Sequence, residues 1–504
     1  MFLLWWMACV GRRPEVLDGP TVVRVAAAPL SGELSVTTDL PTTLAVRLKG
    51  DGVDLELFFP EYTSTHLVEL HALRADTDLD VHIDVETRAG RRRTEKTEFH
   101  TGSLPDDLPR FFVVTADPDR AFRGWILLSV TGESSSGRWL VAVDPRDGEI
   151  GWLYDGPTSL EVMGLTERGT MLGMSSQSVV ELDWLGRERG HWAGNGARDA
   201  DGAIRFDASA MSHDVREQDG QMAVLASRSL VVPAYPVSYE TPDVLDGPTR
   251  IEDVEVVVFA AEDGAVTGRW PLSERLDTTR IGFDSLDEEP LGFDWVHANA
   301  VLPYQGGWLV GSRHQDALVS LDAAGDVRWI LSNPYGWADP APALLLDGPD
   351  PAGWPFHAHG PSIDREGNIV VLDNGNDGHT PYTEDPGVPQ ESRVLAWTVN
   401  EEQGTAETAW AWSPPDPLFS DGMGNAAALA NGDVIANFPV LFQEGGADRG
   451  ERAVRVFQFT PGEPDPALDL RITSDARIDP GGVGAYRAIP VPTFWPAEVS
   501  VERR

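Results

Sequence analysis

Three histidines, His213, His297 and His359, stand at the same place in three successive stretches of this chain, which has 11 His among 504 residues. Each precedes a glycine (Gly220, Gly306, Gly367) by seven to nine residues, and an apolar segment follows each glycine. Repeats arranged about an axis bring equivalent positions together, so this spacing predicts that the three imidazoles meet. An imidazole can exchange protons near neutral pH, attack as a nucleophile or bind a metal.

Aligning the stretches by their turn glycines adds further positions. Glu161 and Gly424 are the equivalents in the neighbouring units, each eight residues ahead of its glycine (Gly169, Gly432). The strand after the glycine supplies a second ring: Arg313, Asn374, and Ser227 or Arg228. Asn299 follows His297 by two residues and shares its face in an extended segment. Arginine presents a rigid fork of donors that suits tetrahedral oxyanions, and amides add further donors. One imidazole can serve as nucleophile or base while another serves as acid, because environment separates their proton affinities. The set therefore suits transfer of an anionic sulfuryl or phosphoryl group.

The elements that must position these groups are strands. From about residue 111 a pattern of paired apolar segments, a hairpin and a tryptophan recurs, ending at Trp152, Trp192, Trp270, Trp329 and Trp410; a sixth copy over 454–470 lacks the tryptophan. Six four-stranded units of ~40–50 residues describe a six-bladed β-propeller over 111–495, with residues 485–492 as a ring-closing strand. Residues 19–103 alternate as a small fibronectin III-like β-sandwich, whose stretch 70–102 resembles the closing half of such a module, and 103–110 read as a linker. The fold class predicted is all-β.

The formal net charge of -41 makes nucleic acid an unsuitable partner, and lysine occurs only at Lys49 and Lys96. Such a charge repels anions at long range, so Arg and His must dominate locally, within the ~8–10 Å Debye length. With a single cysteine, Cys9, no intrachain disulfide can form. Residues 1–18 resemble a clipped lipoprotein signal, with Cys9 the candidate for lipidation. That implies an exported protein, periplasmic or held at the membrane by a lipid anchor. No later segment reaches the ~20 apolar residues of a membrane span.

The combination of residues 294–302 (Asp-Trp-Val-His-Ala-Asn-Ala-Val-Leu), Gly311-Ser-Arg-His-Gln-Asp, His359 with Gly367-Asn-Ile-Val-Val-Leu-Asp-Asn-Gly, and Tyr486-Arg-Ala resembles the bacterial arylsulfate sulfotransferases. The resemblance spans nearly the whole chain. It implies ping-pong transfer of a sulfuryl group from a phenolic sulfate ester to a phenol, through a sulfated histidine and without a nucleotide donor or other cofactor. By motif the nucleophile is His359, with His357 its rival. His297, Asn299 and Arg313 then hold the sulfuryl oxygens, Asn374 belongs to the substrate site, and His213 donates or relays a proton. The partners implied are small aryl sulfates and phenols; the oligomeric state, a homodimer included, stays open.

Other residues receive blander expectations. His314 and His379 are expected in exposed loops, His191 in packing, and His66, His71, His82 and His100 mostly on strand surfaces. The tryptophans are expected to pack blades, with Trp295 or Trp354 the candidates for stacking on an aryl ring. Residues 373–378 (Asp-Asn-Gly-Asn-Asp-Gly) suit a turn better than a Ca²⁺ loop. Two competing functions remain: a metal-dependent lyase or hydrolase using His213, His297 and His359, which Arg313 argues against, and a non-catalytic propeller that binds a partner.

Overall fold

A computed structural model describes residues 12–503 apart from 133–137, 157–159, 198–201, 339–340, 350–352, 443–451 and 475–481. Cys9, the candidate for lipidation, lies outside the described residues. Among these residues no helix is long and apolar enough to cross a membrane.

Six antiparallel sheets follow one another along the chain. Sheet I contains Trp125–Gly132, Arg138–Val143 and Ile150–Tyr154; sheet II runs from Glu161–Leu165 to Glu188–Ala193. Sheet III is built on Met211–Gln218, Gln221–Val232, Thr249–Ala260 and Val266–Pro271. Sheet IV spans Ala298–Tyr304 to Val327–Ser332, sheet V His359–Ile363 to Thr405–Trp412, and sheet VI Asn425–Ala428 to Leu468–Thr473. In sheets II to VI the glycine between the first two strands is left-handed: Gly169, Gly220, Gly306, Gly367 and Gly432 have φ of +74° to +94°. These are the glycines by which the repeats align, and the hairpin needs a residue free to adopt that conformation.

Neighbouring sheets pack face to face. Strands such as Gly307–Ser312 and Ile369–Asp373 are therefore buried along their whole length and read as continuous apolar runs. Alternate side chains go to opposite neighbours. Leu309 and Leu318 of sheet IV meet Val371 and Leu395 of sheet V, while Val310 and Val319 meet Leu225 and Val256 of sheet III. Sheets VI and I share a core in the same way through Ile435, Val454, Leu128 and Val141. The packing closes on itself as a propeller kind of fold.

Closure uses the tail. Val483–Val491 pairs with Trp125–Gly132 and becomes the first strand of sheet I, as the sequence predicts. Two further joins carry no signal in the repeat pattern. Arg110–Ala116 adds to the outer edge of sheet VI through Leu468–Thr473, and Ser500–Arg503 adds to the N-terminal sheet at residues 55–58. That N-terminal sheet has six strands. Its long strand Ala28–Gly50 pairs with Val16–Val25 near one end and Asp78–Thr87 near the other, and the sheet shares a core with sheets I and II through Trp125, Trp152 and Trp184.

The recurring tryptophans tie one sheet to the next. Trp152 of sheet I donates its indole N–H to the carbonyl of Trp184 in sheet II at 2.6 Å, and Trp192 of sheet II donates to Ala261 in sheet III at 2.7 Å. Trp329 of sheet IV donates to Glu401 of sheet V at 3.0 Å.

Candidate functional site

The first strands of sheets III, IV and V share an irregularity. Their register shifts between Ser212 and Val215, between Ala298 and Ala300, and between His359 and Ser362. Beside it the backbone is left-handed at non-glycine residues: His213 has φ +64°, His297 +36° and His357 +56°. A bulge re-aims the side chain it carries, and each such conformation costs about 1–3 kcal/mol unless surrounding contacts hold it. Gly360 completes the turn in sheet V at φ +53°. A Cβ there would lie 2.2 Å from the Asn425 Cβ, so only glycine lets sheets V and VI approach.

These bends bring the histidines together. The rings of His213 and His297 are 4.6 Å apart, those of His297 and His314 4.6 Å, and those of His314 and His357 5.9 Å. Nη1 of Arg313 lies 2.5 Å from Nε2 of His314 and 2.7 Å from the Asp284 carboxylate. Nδ1 of His297 is 2.5 Å from the Asp294 carboxylate, which fixes that ring with its Nδ1–H inward. Nδ1 of His213 is 3.2 Å from the Tyr486 hydroxyl, contributed by the tail strand.

His359 is 4% exposed. Its Nδ1–H faces the Asn374 side-chain oxygen at 2.7 Å and the His357 carbonyl at 2.9 Å. Nε2 is therefore the nitrogen with the lone pair, and it accepts the Met423 N–H at 3.3 Å. Burial, reinforced by the Arg313 charge, presses the His359 pKa down to about 3, so the ring is neutral at physiological pH. Burial likewise holds His213, His314 and His357 well below the ordinary value; His297 adds to this at His213 and His314, and Arg313 at His357. Asp316, whose carboxylate accepts the His357 N–H at 2.8 Å, is pushed up to about 7 by burial.

The other sequence candidates fall as follows. Asn299 is buried; its NH₂ bonds the Ala358 carbonyl at 2.9 Å, and its oxygen has no partner. Asn374 has its oxygen on His359 and its NH₂ on the carbonyls of Ser420 (2.9 Å) and Met423 (3.2 Å). Its polar groups are thus committed to orienting His359 and the segment facing it. Arg228 turns away to Asp253 and Ser273, while Glu161 is buried deeply enough to raise its pKa.

Several expectations are corrected. His314 is not in an exposed loop: it is 2% exposed, because its Nδ1–H is bonded to the Asp294 carbonyl and its Nε2 to Arg313. His66 and His71 are core residues of the N-terminal sheet, each bonded to a hydroxyl (Thr42 and Ser31). Trp295 and Trp354 are buried too deeply to stack on a ligand, and Trp295 donates to the Arg280 carbonyl. The Asp373 carboxylate accepts from the Phe356 N–H and from Arg393, which leaves it a turn anchor. His314, Asp294 and Asp284 are the site residues that sequence reasoning missed. Their one signal was proximity: Asp294 lies three residues before His297, and His314 directly follows Arg313.

Among the described residues, two sets of side chains are close enough to share a cation: Asp284, His314 and His357, and Asp294, His297 and His314. Arg313 already bridges Asp284 and His314, and Asp294 and His297 already share a hydrogen bond. A guanidinium within the first set opposes a second positive charge there.

The sequence profile of the arylsulfotransferase (ASST) family matches residues 114–481. Arylsulfate sulfotransferase AssT of Escherichia coli O6:H1 (strain CFT073) is 24% identical over 390 residues, covering 69% of this chain and 60% of that protein. The AssT of Lelliottia amnigena is 24% identical over 314 residues, or 53% and 51% of the two lengths. The chain thus spans between half and three-fifths of these curated relatives. Among solved structures, a quinonprotein alcohol dehydrogenase-like protein of Bacteroides thetaiotaomicron aligns over 97% of this chain and 99% of its own. Its TM-score is 0.31 and its identity 8%, too low to carry an argument.

Proposed function

The chain belongs to the arylsulfotransferase family, and from that premise we propose that it moves a sulfuryl group from a phenolic sulfate ester to a phenol by a ping-pong mechanism, with no nucleotide sulfate donor. We read its six sheets as the blades of a six-bladed propeller and the folded N-terminal sheet as the fibronectin III-like module. The observation that carries the reading is His359: a buried, neutral imidazole whose Nδ1–H is held by two acceptors, leaving on Nε2 a lone pair that accepts the Met423 N–H at 3.3 Å and must exchange it for sulfur.

In the first half-reaction Nε2 of His359 attacks sulfur, the bond from sulfur to the aryl oxygen breaks, and the phenolate leaves with its electron pair. The positive charge that develops on the ring is met at Nδ1–H by the Asn374 and His357 oxygens. Arg313, with the free NH₂ hydrogen of Asn299, faces the sulfuryl oxygens, so the donors act where charge spreads in the transition state. His297, as an imidazolium paired with Asp294, gives its second proton to the departing phenolate and, then neutral, takes the proton of the incoming phenol. His213, backed by Tyr486, assists that transfer. In the second half-reaction the phenol oxygen attacks sulfur and His359 is released neutral. A metal-dependent reading is disfavoured by the position of Arg313.

The test is p-nitrophenyl sulfate with and without phenol. Phenol-dependent release of p-nitrophenol, and a sulfuryl mass on the His359 peptide when the acceptor is left out, are expected. A sulfuryl mass on His357 instead would move the nucleophile; no turnover with any aryl sulfate would leave a binding propeller.

A further inference from the structure

One buried carboxyl beside the histidines takes no part in the transfer steps. Asp316 ends the turn 313–316, which joins Gly307–Ser312 to Ala317–Leu321 in sheet IV and closes the sequence Gly311-Ser-Arg-His-Gln-Asp. The fully buried Arg280 braces this turn from behind. Its Nη1 donates to the Gln315 carbonyl at 2.7 Å and to the Gln315 side-chain oxygen at 3.1 Å. From the braced turn, Asp316 reaches across to sheet V.

Three residues lead into His359, and each is anchored separately. The Phe356 N–H is held within sheet V, by the Asp373 carboxylate at 2.7 Å. The other two are held by sheet IV: the His357 N–H donates to Oδ1 of Asp316 at 2.8 Å, and the Ala358 carbonyl accepts from Asn299 at 2.9 Å. His357 is the strained member, left-handed at φ +56°, and such a conformation persists only where contacts impose it. Its own ring imposes little. Nδ1 is buried with no hydrogen-bond partner, and Nε2 lies 3.4 Å from the Phe283 carbonyl. The anchor of this residue is thus the Asp316 carboxyl, and the carbonyl of the same residue accepts Nδ1–H of His359 at 2.9 Å. Burial pushes Asp316 up to about 7, against the pull of the His357 N–H and of Arg280. What it offers His357 at neutral pH is an acceptor oxygen more than a charge.

We propose that Asp316 is a positioning residue for the nucleophile: by holding the His357 backbone, it aims the carbonyl that meets the charge developing on His359. This rests on His359 as the sulfuryl acceptor and assigns its orientation to a side chain of the neighbouring sheet.

The test compares two variants of the full-length protein. Asp316→Gly keeps the left-handed φ of +47° open at that position and removes the acceptor, whereas Asp316→Asn preserves both. In Asp316→Gly, kcat for phenol-dependent p-nitrophenol release should fall about tenfold, the loss of one charge-assisted hydrogen bond, with the donor KM within about twofold. Asp316→Asn should recover kcat to within about threefold of wild type. In protein labelled with ¹⁵N-histidine, the Nδ1–H proton of His359, identified by its loss in His359→Gln, should move upfield in Asp316→Gly and stay in place in Asp316→Asn. That resonance is read without turnover, so it decides the role of Asp316 even if no aryl sulfate reacts. Should Asp316→Gly not fold, Asp316→Ser, whose hydroxyl is too short to reach the His357 N–H, takes its place. An unchanged resonance in the variant lacking the acceptor, a rise in KM in place of the fall in kcat, or an Asn variant equally impaired overturns the proposal. Asp316 would then be only a brace between sheets IV and V.

Discussion

Sheets III, IV and V open with bulged strands bearing His213, His297 and the His357–His359 pair, whereas sheets II and VI carry Glu161 and Gly424 at the equivalent places. Sheet I there presents the tail strand Val483–Val491. In that second half the polar groups are used for stitching. Asn425 exchanges two hydrogen bonds of 2.9 Å with the Ala488 backbone, Asn437 bonds the Ala485 carbonyl at 2.8 Å, and the buried Arg487 reaches Asp214 at 2.8 Å and the Met163 carbonyl at 3.0 Å. In the first half the polar groups are imidazoles next to strained backbone, with His213, His314 and His357 held neutral by burial. One strand position thus serves as adhesive on one side of the ring and as reagent on the other. What separates the two is the residue that the first strand carries, since Glu161–Leu165 and Val483–Val491 shift register as well, while the sheet itself is the same.

The largest effect that can break this comparison is expected at His359. His359→Ala should lower phenol-dependent p-nitrophenol release by about 10⁴-fold or more, with the far-UV spectrum unchanged. A residual rate within tenfold of wild type would move the nucleophile elsewhere. Asp294→Asn comes next: His297 loses the carboxylate that orients it, and kcat should fall roughly 10²–10³-fold with little change in KM for the donor. If KM alone rises, Asp294 acts in binding and not in proton transfer.

The stitched half should respond in the opposite currency. Arg487→Gln leaves the buried Asp214 with only Arg216 and the Val301 N–H and should lower stability by about 1–3 kcal/mol, read from urea unfolding, while the folded fraction loses less kcat than Asp294→Asn does. Loss of activity at unchanged stability would erase the distinction between the halves.

The smallest effect is in pH dependence. His359 stays neutral in the fold until about pH 3, while the unfolded chain takes up that proton near the ordinary 6.5. Its contribution is therefore complete above pH 6.5 and is lost as pH falls from there toward 3; His213, His314 and His357 act in the same direction. Asp316 opposes them: pushed up to about 7, it contributes fully below pH 3.8, and that contribution is lost as pH rises through 7. His359→Gln should remove up to one proton from the acid limb, a slope change of at most about 1.4 kcal/mol per pH unit between pH 6 and 4. An unchanged limb would mean that His359 is not neutral in the fold.

How legible all this was depended on whether a feature repeats. His213, His297 and His359 could be found because each sits seven to nine residues ahead of a left-handed turn glycine, and the tail strand because it continues the blade pattern. Asp294 and His314 could not, since an aspartate or histidine near a strand end is usually solvated. Only the fold shows that His314 is wedged between Arg313 and the Asp294 backbone. The role of Asn374 was hidden for a related reason: a sequence does not tell which way an amide faces. Ser500–Arg503 escaped because its partners, Asp144 and residues 55–58, are more than 300 residues away and belong to no repeat.

The tail strand also sets the order of events when the protein is made. Trp125–Gly132 emerges from the ribosome before sheets II to VI, yet its partner Val483–Val491 follows all of them. Until then the nascent ring is an open arc with an apolar strand edge at Trp125–Gly132, the kind of edge that captures a strand from another chain. Tyr486 lies in that late strand and bonds His213, so the histidine cluster is completed only when the ring locks. A chain stopped short of residue 483 would carry all the site histidines and still lack a finished site.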